Sequence, residues 1–190
     1  NLAGGAPLAE FVELQPGEKV LGLVSLNGDG PDIALGTANG VVKRVTPDLP
    51  SNKNEWDIIS LKDGDRVVGA VEITSDDVDF IFVTSQGQLL RFPATQVRPQ
   101  GRPAAGMAGV RVGAGDSVVY FGTVSAAEGG ELVTVAGHSA ALPGTDPGSV
   151  KVSPLDVYPS KGRGTGGVRC HRFLKGEDAL LLAWAGVGPA

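Results

Sequence analysis

Cys170 and His171 are the one adjacent pair in this chain that could serve as a nucleophile with its base, or as half of a metal site. Neighbouring residues on a strand point to opposite faces, so the two side chains would not converge. His138 and His171 are the only histidines and there is no CxxC, so the donors for a tetrahedral zinc site are lacking. Gly162, Gly164, Gly166 and Gly167 alternate with Lys161, Arg163 and Thr165 in the manner of a phosphate cradle. No helical pattern follows whose dipole would complete one. Nowhere do an acid, a base and a nucleophile come together in a motif. The sequence therefore implies no independent enzyme, no cofactor and no metal.

The chemistry that remains is charge. The 190 residues carry 16 Lys and Arg against 21 Asp and Glu, a net charge of −5, which is the wrong sign for a domain that binds polyanions. The distribution says something different. Residues 33–47, 80–115 and 157–176 contain no acid but hold eleven of the sixteen basic residues. These are Lys43 and Arg44, then Arg91, Arg98, Arg102 and Arg111, then Lys161, Arg163, Arg169, Arg172 and Lys175. Such phased windows predict a local positive track on an acidic body. Arg44 and Arg91 stand 47 residues apart, and Lys151, 60 residues after Arg91, is read as the third member of that series.

The phasing follows a repeat. Gly17-Glu18-Lys19-Val20, Gly64-Asp65-Arg66-Val67, Gly115-Asp116-Ser117-Val118 and Gly176-Glu177-Asp178-Ala179 each lead into an apolar run, at intervals of 47, 51 and 61 residues. Self-similarity at this period marks a propeller, solenoid or array. The apolar runs are short, rich in Val, Ile and Leu, and show no sustained helical periodicity, so they read as strands. Strands are expected at 20–26, 67–73 and 118–124. Hairpins are expected at 33–45 over Asn39-Gly40 and at 79–92 over Gln86-Gly87, with residues 131–136 and 140–142 as the third. Asn27-Gly28-Asp29-Gly30 supplies a turn, and residues 56–61 form a short closing strand. A Pro- and Gly-rich insertion at 143–149 accounts for the longest interval. Residues 14–60, 61–111 and 112–170 are each expected to form one blade, with partial units at 1–13 and 171–190. The predicted fold class is all-β, a single propeller-like ring of four-stranded blades, about four units in this chain.

Asn1 falls in mid-repeat, which points to a piece of a longer polypeptide. No apolar run reaches the roughly 18 residues of a membrane span. A single cysteine suits a reducing, cytoplasmic compartment.

The run Asp79-Phe80-Ile81-Phe82-Val83-Thr84-Ser85-Gln86-Gly87-Gln88-Leu89-Leu90-Arg91-Phe92, followed by Gly101-Arg102 and Gly106, resembles the repeat of the C-terminal domains of bacterial type IIA topoisomerase A subunits. Residues 32–44 and 158–168 carry the same resemblance. It implies a β-pinwheel whose neighbouring blades exchange strands and whose basic outer rim binds and bends duplex DNA. On that resemblance the rim residues are Lys43, Arg44, Arg91, Arg98, Arg102, Lys151, Lys161, Arg163 and Arg169. The implied partners are duplex DNA and the rest of the A subunit, which connects the chain to the ATPase subunit, in a nucleoid-associated cytoplasmic setting. Gyrase A subunits carry a Gln-Arg-Arg-Gly-Gly-Lys-Gly box. The nearest stretch here, from Lys161 to Gly167, lacks the paired arginines, which points to a topoisomerase IV A subunit. A gyrase whose box lies elsewhere and a propeller serving as a protein-interaction scaffold are the alternatives. Tyr120 and Tyr158 sit in repeat strands or turns, whereas the family's DNA-cleaving tyrosine belongs to another domain.

Overall fold

A computed structural model describes residues 4–25, 30–46, 50, 52–125, 127–142, 145 and 148–187. All but Gly30 of the turn expected at 27–30, and part of the 143–149 insertion, lie outside the described residues. Among the described residues eleven strands form three antiparallel sheets and no α-helix occurs; the helical elements there are short 3-10 turns at Leu8–Glu10, Ala94–Gln96 and Leu155–Val157. Among the described residues no helix is long and apolar enough to cross a membrane.

The first sheet is built on a hairpin of β1 (Asp32–Thr37) and β2 (Val41–Val45). Its inner neighbour is β3 (Val67–Ile73), and its outer neighbour is the two-residue β6 (Met107–Ala108). The second sheet repeats this plan. Its hairpin of β4 (Val78–Thr84) and β5 (Gln88–Pro93) is flanked by β7 (Val118–Ser125) inside and β10 (Val168–Arg169) outside. The third has a hairpin of β8 (Glu131–Gly137) and β9 (Ser149–Pro154) with β11 (Ala179–Gly186) inside. Strand β7 packs against β3 on one side and β11 on the other and so holds the sheets together.

One sequence repeat does not make one blade. Every sheet takes its hairpin from one repeat and its inner strand from the next, and in the first two sheets the outer strand also comes from the next repeat. Two other expectations fail for the same reason. Residues 20–25 and 56–61 form no strand. A lead or closing strand pairs with the hairpin of the repeat before its own, and no hairpin of a repeat before residues 14–60 is described. Val20, Leu21 and Leu23 are accordingly exposed. The second arm of the third hairpin is residues 149–154, while residues 140–142 lie in an exposed turn.

Strand β4 explains why the apolar runs are continuous rather than alternating. Its successive side chains face opposite ways, and both faces are covered. Phe80 and Phe82 join Phe92, Phe121, Ala34 and Val42 in the core between the first and second sheets. Ile81 and Val83 join Leu132, Leu155 and Leu180 in the core between the second and third. The rings of Phe82 and Phe121 lie 4.8 Å apart, and those of Phe80 and Phe92 meet edge-on at 5.8 Å.

The Gly-acid lead-in is a clasp between repeats. Asp65 Oδ1 accepts the Asn39 amide at 3.0 Å. Asp116 Oδ1 accepts the Gln86 amide at 2.9 Å and the Ser85 hydroxyl at 2.8 Å. Asp178 accepts the Ser139 amide at 2.7 Å and its hydroxyl at 2.9 Å. Each carboxylate thus caps the hairpin turn of the preceding repeat. The turns of the first two hairpins are three-residue loops in which Gly40 and Gly87, not the residue before them, take positive φ.

Two outcomes test this architecture. Asp116→Ala should destabilise the chain by about 1–2 kcal/mol in chemical denaturation, since it orphans donors at the turn. The Ser139 amide and hydroxyl hold the Asp178 carboxyl below its ordinary pKa. Stability from that clasp is complete above the ordinary carboxylate range and is lost as pH falls through the depressed folded value. Asp178→Asn should therefore differ from the parent at pH 7 and converge with it near pH 2. Separately, Gly167 has φ +75, and a Cβ there would sit 2.3 Å from the Leu89 carbonyl oxygen. Gly167→Ala should cost about 2 kcal/mol or more and release β10, visible as faster amide exchange at residues 88–89.

Candidate nucleic-acid interface

Sheet topology decides which cations can face outward. The hairpin's second strand, β2 or β5, is the outer one, and the connection from the next repeat runs along it as a strap. The Gln100 amide donates to the Arg44 carbonyl and the Lys161 amide to the Arg91 carbonyl, both at 2.8 Å, so the two straps dock in the same way. The second strap is fastened further. The Arg163 amide donates to Gln96 Oε1 at 3.0 Å, its guanidinium donates to the Ala108 carbonyl, and the Gly164 amide reaches the Gly109 carbonyl at 2.6 Å. The straps present Arg98 and Lys161 as exposed side chains and Arg102 and Arg163 as half-buried ones. None of the four forms an ion pair among the described residues. Arg111, whose amide bonds to the Thr165 carbonyl at 2.9 Å, and Arg172 are also exposed and unpaired in that sense. Both lie inside the acid-free windows but outside the set of rim residues that the resemblance implies. The windows themselves are the signal for them.

The strand cations behave differently, and three expectations need correction. Lys43 is completely buried. Its Nζ donates to the carbonyls of Ile58, Arg102 and Ala104 at 2.7, 2.6 and 2.8 Å, so it ties the strap to the sheet and does not face solvent. Burial lowers its pKa. Arg44 and Arg91 lie at equivalent strand positions but are neutralised. Arg44 pairs with Asp32, and with Asp76 at 2.9 Å. Arg91 pairs with Asp79 at 2.5 Å and also reaches the Leu155 carbonyl. Their side chains are only 16% and 11% exposed. Asp32 and Asp79 are the acids that bounded the windows. Twelve residues before each arginine, they sit diagonally across the hairpin on the same face.

Lys151 is not the third member of the Arg44 and Arg91 series. Arg91 lies two residues before Pro93, which faces Asp79, whereas Val152 lies two residues before Pro154, which faces Glu131. Val152 is therefore the equivalent of Arg91, and Lys151 that of Lys43. A slip of one residue on a strand moves a side chain to the other face. Lys151 is exposed and its Nζ donates to the Cys170 carbonyl at 2.7 Å; Arg169 is exposed beside it.

The groups considered for catalysis are occupied structurally. Burial pushes the Cys170 thiol up to about 11, and its Sγ contacts the Gly87 carbonyl. His171 is buried, with Nδ1 2.8 Å from Thr134 Oγ1, and burial lowers its pKa. Tyr120 donates to the Ala185 carbonyl at 3.0 Å, and Tyr158 pairs with Ser153. No group of three or more His, Cys, Asp or Glu that could hold a metal occurs among the described residues. Lys43→Met should leave three strap and loop carbonyls without their donor. A loss of about 3 kcal/mol or more in denaturant stability is expected, and a stable variant with impaired ligand binding would show that Lys43 acts at the surface after all.

A family model described as "DNA gyrase C-terminal domain, beta-propeller" matches residues 58–73, 79–125 and 144–180, just over half of the chain. The DNA gyrase A subunit of Thermotoga maritima is 36% identical over 94% of this chain and 23% of its own length. The topoisomerase subunit TopoM of Mycolicibacterium smegmatis is 41% identical over 52% of this chain and 12% of its own length. The chain thus spans less than a quarter of these curated relatives. In fold it is similar to the crystal structure of the C-terminal domain of DNA topoisomerase IV, with a TM-score of 0.76 at 20% identity, covering 95% of this chain and 55% of that one. It is also similar to the E. coli ParC C-terminal domain, with a TM-score of 0.63 at 17% identity over 83% and 62%. Strand-exchanging sheets, glycine straps and the matched residues agree, and the chain belongs to the DNA gyrase C-terminal domain β-propeller family.

Proposed function

We infer that this chain is a DNA-binding module of a type IIA topoisomerase A subunit, one that holds duplex DNA for an enzyme whose cleavage and ATPase residues lie in other parts of that assembly. The observation that carries this reading is the pair of straps. Arg102 and Arg163 fall at equivalent places on the outer edges of two successive sheets, with Arg98 and Lys161 beside them, and no carboxylate neutralises any of the four among the described residues. Cations without an acid partner along a loop edge suit phosphates, which position a duplex without reading its sequence. Supplied with only four to six phosphate contacts, log K should fall with log salt at a slope of about −4 to −5.

A topoisomerase IV-like module is favoured over a gyrase-like one by the Lys161 to Gly167 strap, which has single arginines where a gyrase box has a pair. The gyrase reading draws on the names of its sequence relatives. Closing a nicked circle by ligation with the module bound separates them. A wrapping module leaves a shift in linking number after protein removal, and a bending module leaves none.

Reversing Arg102 and Arg163 to Glu should weaken binding to every duplex alike and flatten the salt slope by about 2, while Lys19→Glu with Lys62→Glu should change little. Equal losses from the two pairs would reduce the effect to net charge. No loss from the first pair would remove the straps from the interface and favour a scaffold for basic protein partners.

A further inference from the structure

The lysine shared by the first and third repeats has two different surroundings. Lys43 Nζ gives its three hydrogens to three carbonyls, and the side chain is completely enclosed. Lys151 Nζ makes the equivalent of the first of these bonds. Ile58 and Cys170 each lie seven residues before the acid that follows a lead-in glycine, Asp65 and Glu177, and both carbonyls accept their lysine at 2.7 Å. No second or third protein acceptor holds Lys151 among the described residues. It lines instead a pocket of about 370 Å³, together with Arg169, Cys170, His171 and Arg172.

The flanking residues changed with it. Counting from the shared carbonyl, the positions of Arg169 and Arg172 are taken in the first repeat by Asp57 and Ser60. A lysine closed over by three carbonyls has as its counterpart a lysine with two arginines around an open cavity. The lining contains no carboxylate, and neither arginine forms an ion pair among the described residues. Carbonyl oxygens would not need two guanidinium groups; an oxyanion with several acceptor oxygens would. The walls are fixed. Cys170 donates its amide to the Gly87 carbonyl at 2.8 Å, Arg169 is in ladder register with Gln88, and His171 is buried against Thr134. The nearby Glu177 is occupied by the Leu174 amide at 2.7 Å.

We propose that Lys151, Arg169 and Arg172 form a binding pocket for a phosphate group on the third sheet, with Lys151 and the two guanidinium groups donating to its oxygens. The source is either a backbone phosphate of a duplex or a free phosphate anion. In the first case the pocket extends the DNA-binding reading above and rests on it; in the second it stands alone.

The test is a titration of the full chain with inorganic phosphate and then pyrophosphate in low-chloride buffer, following amide shifts at residues 149–153 and 168–172. Saturable shifts confined to these residues are expected. Lys151→Met, which keeps the apolar stem, should weaken binding at least tenfold, and so should Arg169→Gln with Arg172→Gln. The latter pair is exposed, so the test survives if Lys151→Met fails to fold. Unchanged phosphate affinity in the arginine pair would overturn the proposal. So would a pocket that ignores phosphate but binds a peptide copying residues 99–112, since that would make it a socket for another strap. A short duplex distinguishes the sources. Competition by phosphate, with a salt slope flattened by about 1 in Lys151→Met, assigns the backbone, whereas phosphate binding with an unchanged slope assigns the free anion. Arg102→Glu with Arg163→Glu should leave phosphate affinity intact, so failure of the strap interface and failure of the pocket give different results.

Discussion

The structure depends on strands being shared between repeats. A hairpin alone is marginal in water, and in this chain it becomes a sheet only when the next repeat supplies its inner strand and, in the first two sheets, its outer one. The ladder hydrogen bonds that elsewhere stabilise a unit here join units. The Asp clasps act at the same junctions, and the Val118 and Leu180 amides reach one repeat further, donating to the Ala38 and Ser85 carbonyls in the turns two repeats back. Each sheet is thereby locked in register with its neighbour before the aromatic core between them is counted. The glycines of the outer strands belong to the same constraint. Gly106 lies where a Cβ would stand 2.6 Å from Val41 Cγ1, so an exchanged strand can approach only without a side chain.

That sharing also sorts the basic residues by role. In the first two sheets a cation on a hairpin strand is covered by the next repeat's strap and must find an internal partner, because an unpaired buried charge is costly. Lys43 finds three carbonyls, and Arg44 and Arg91 find the acids diagonal to them. At the lysine position the second repeat carries Leu90, buried in the aromatic core, which shows that the site tolerates either an apolar residue or a fully satisfied cation. A cation on the covering strap is less enclosed: Arg98 and Lys161 are exposed, and Arg102 and Arg163 are half-buried without an acid partner among the described residues. Position within the exchange, more than position within the acid-free window, decides whether a charge is available to a ligand.

The hairpins at 33–45 and 79–92, the lead strands at 67–73 and 118–124 and the absence of helices were legible because local pattern and turn chemistry determine them. The strands expected at 20–26 and 56–61 were not, since a lead or closing segment becomes a strand only when a neighbouring hairpin offers an edge. The windows around Arg98, Arg102, Lys161 and Arg163 were legible as charge. Assigning Arg44 and Arg91 to the surface failed because an acid-free window in sequence says nothing of an acid twelve residues away across a hairpin, and Lys43 failed because its partners are backbone carbonyls, which no side-chain pattern marks. Lys151 was misplaced by one residue, and on a strand that difference separates the two faces.

An acidic chain with basic straps need not be a poor ligand for a polyanion. Screening at physiological salt limits each charge to about 8 Å, so a phosphate near Arg102 or Arg163 responds mainly to the strap beneath it and little to acids on the far side of a sheet. The strap cations are also spared the neutralisation that Asp32 and Asp79 impose on the strand arginines. The remaining negative charge opposes approach from any other direction, which favours docking along one edge. Few contacts make such docking weak and salt-sensitive by itself. A module of this kind gains effective affinity when it is tethered beside a duplex already held by a larger assembly, because the second contact then becomes intramolecular. Weak intrinsic binding then leaves such a contact readily reversible.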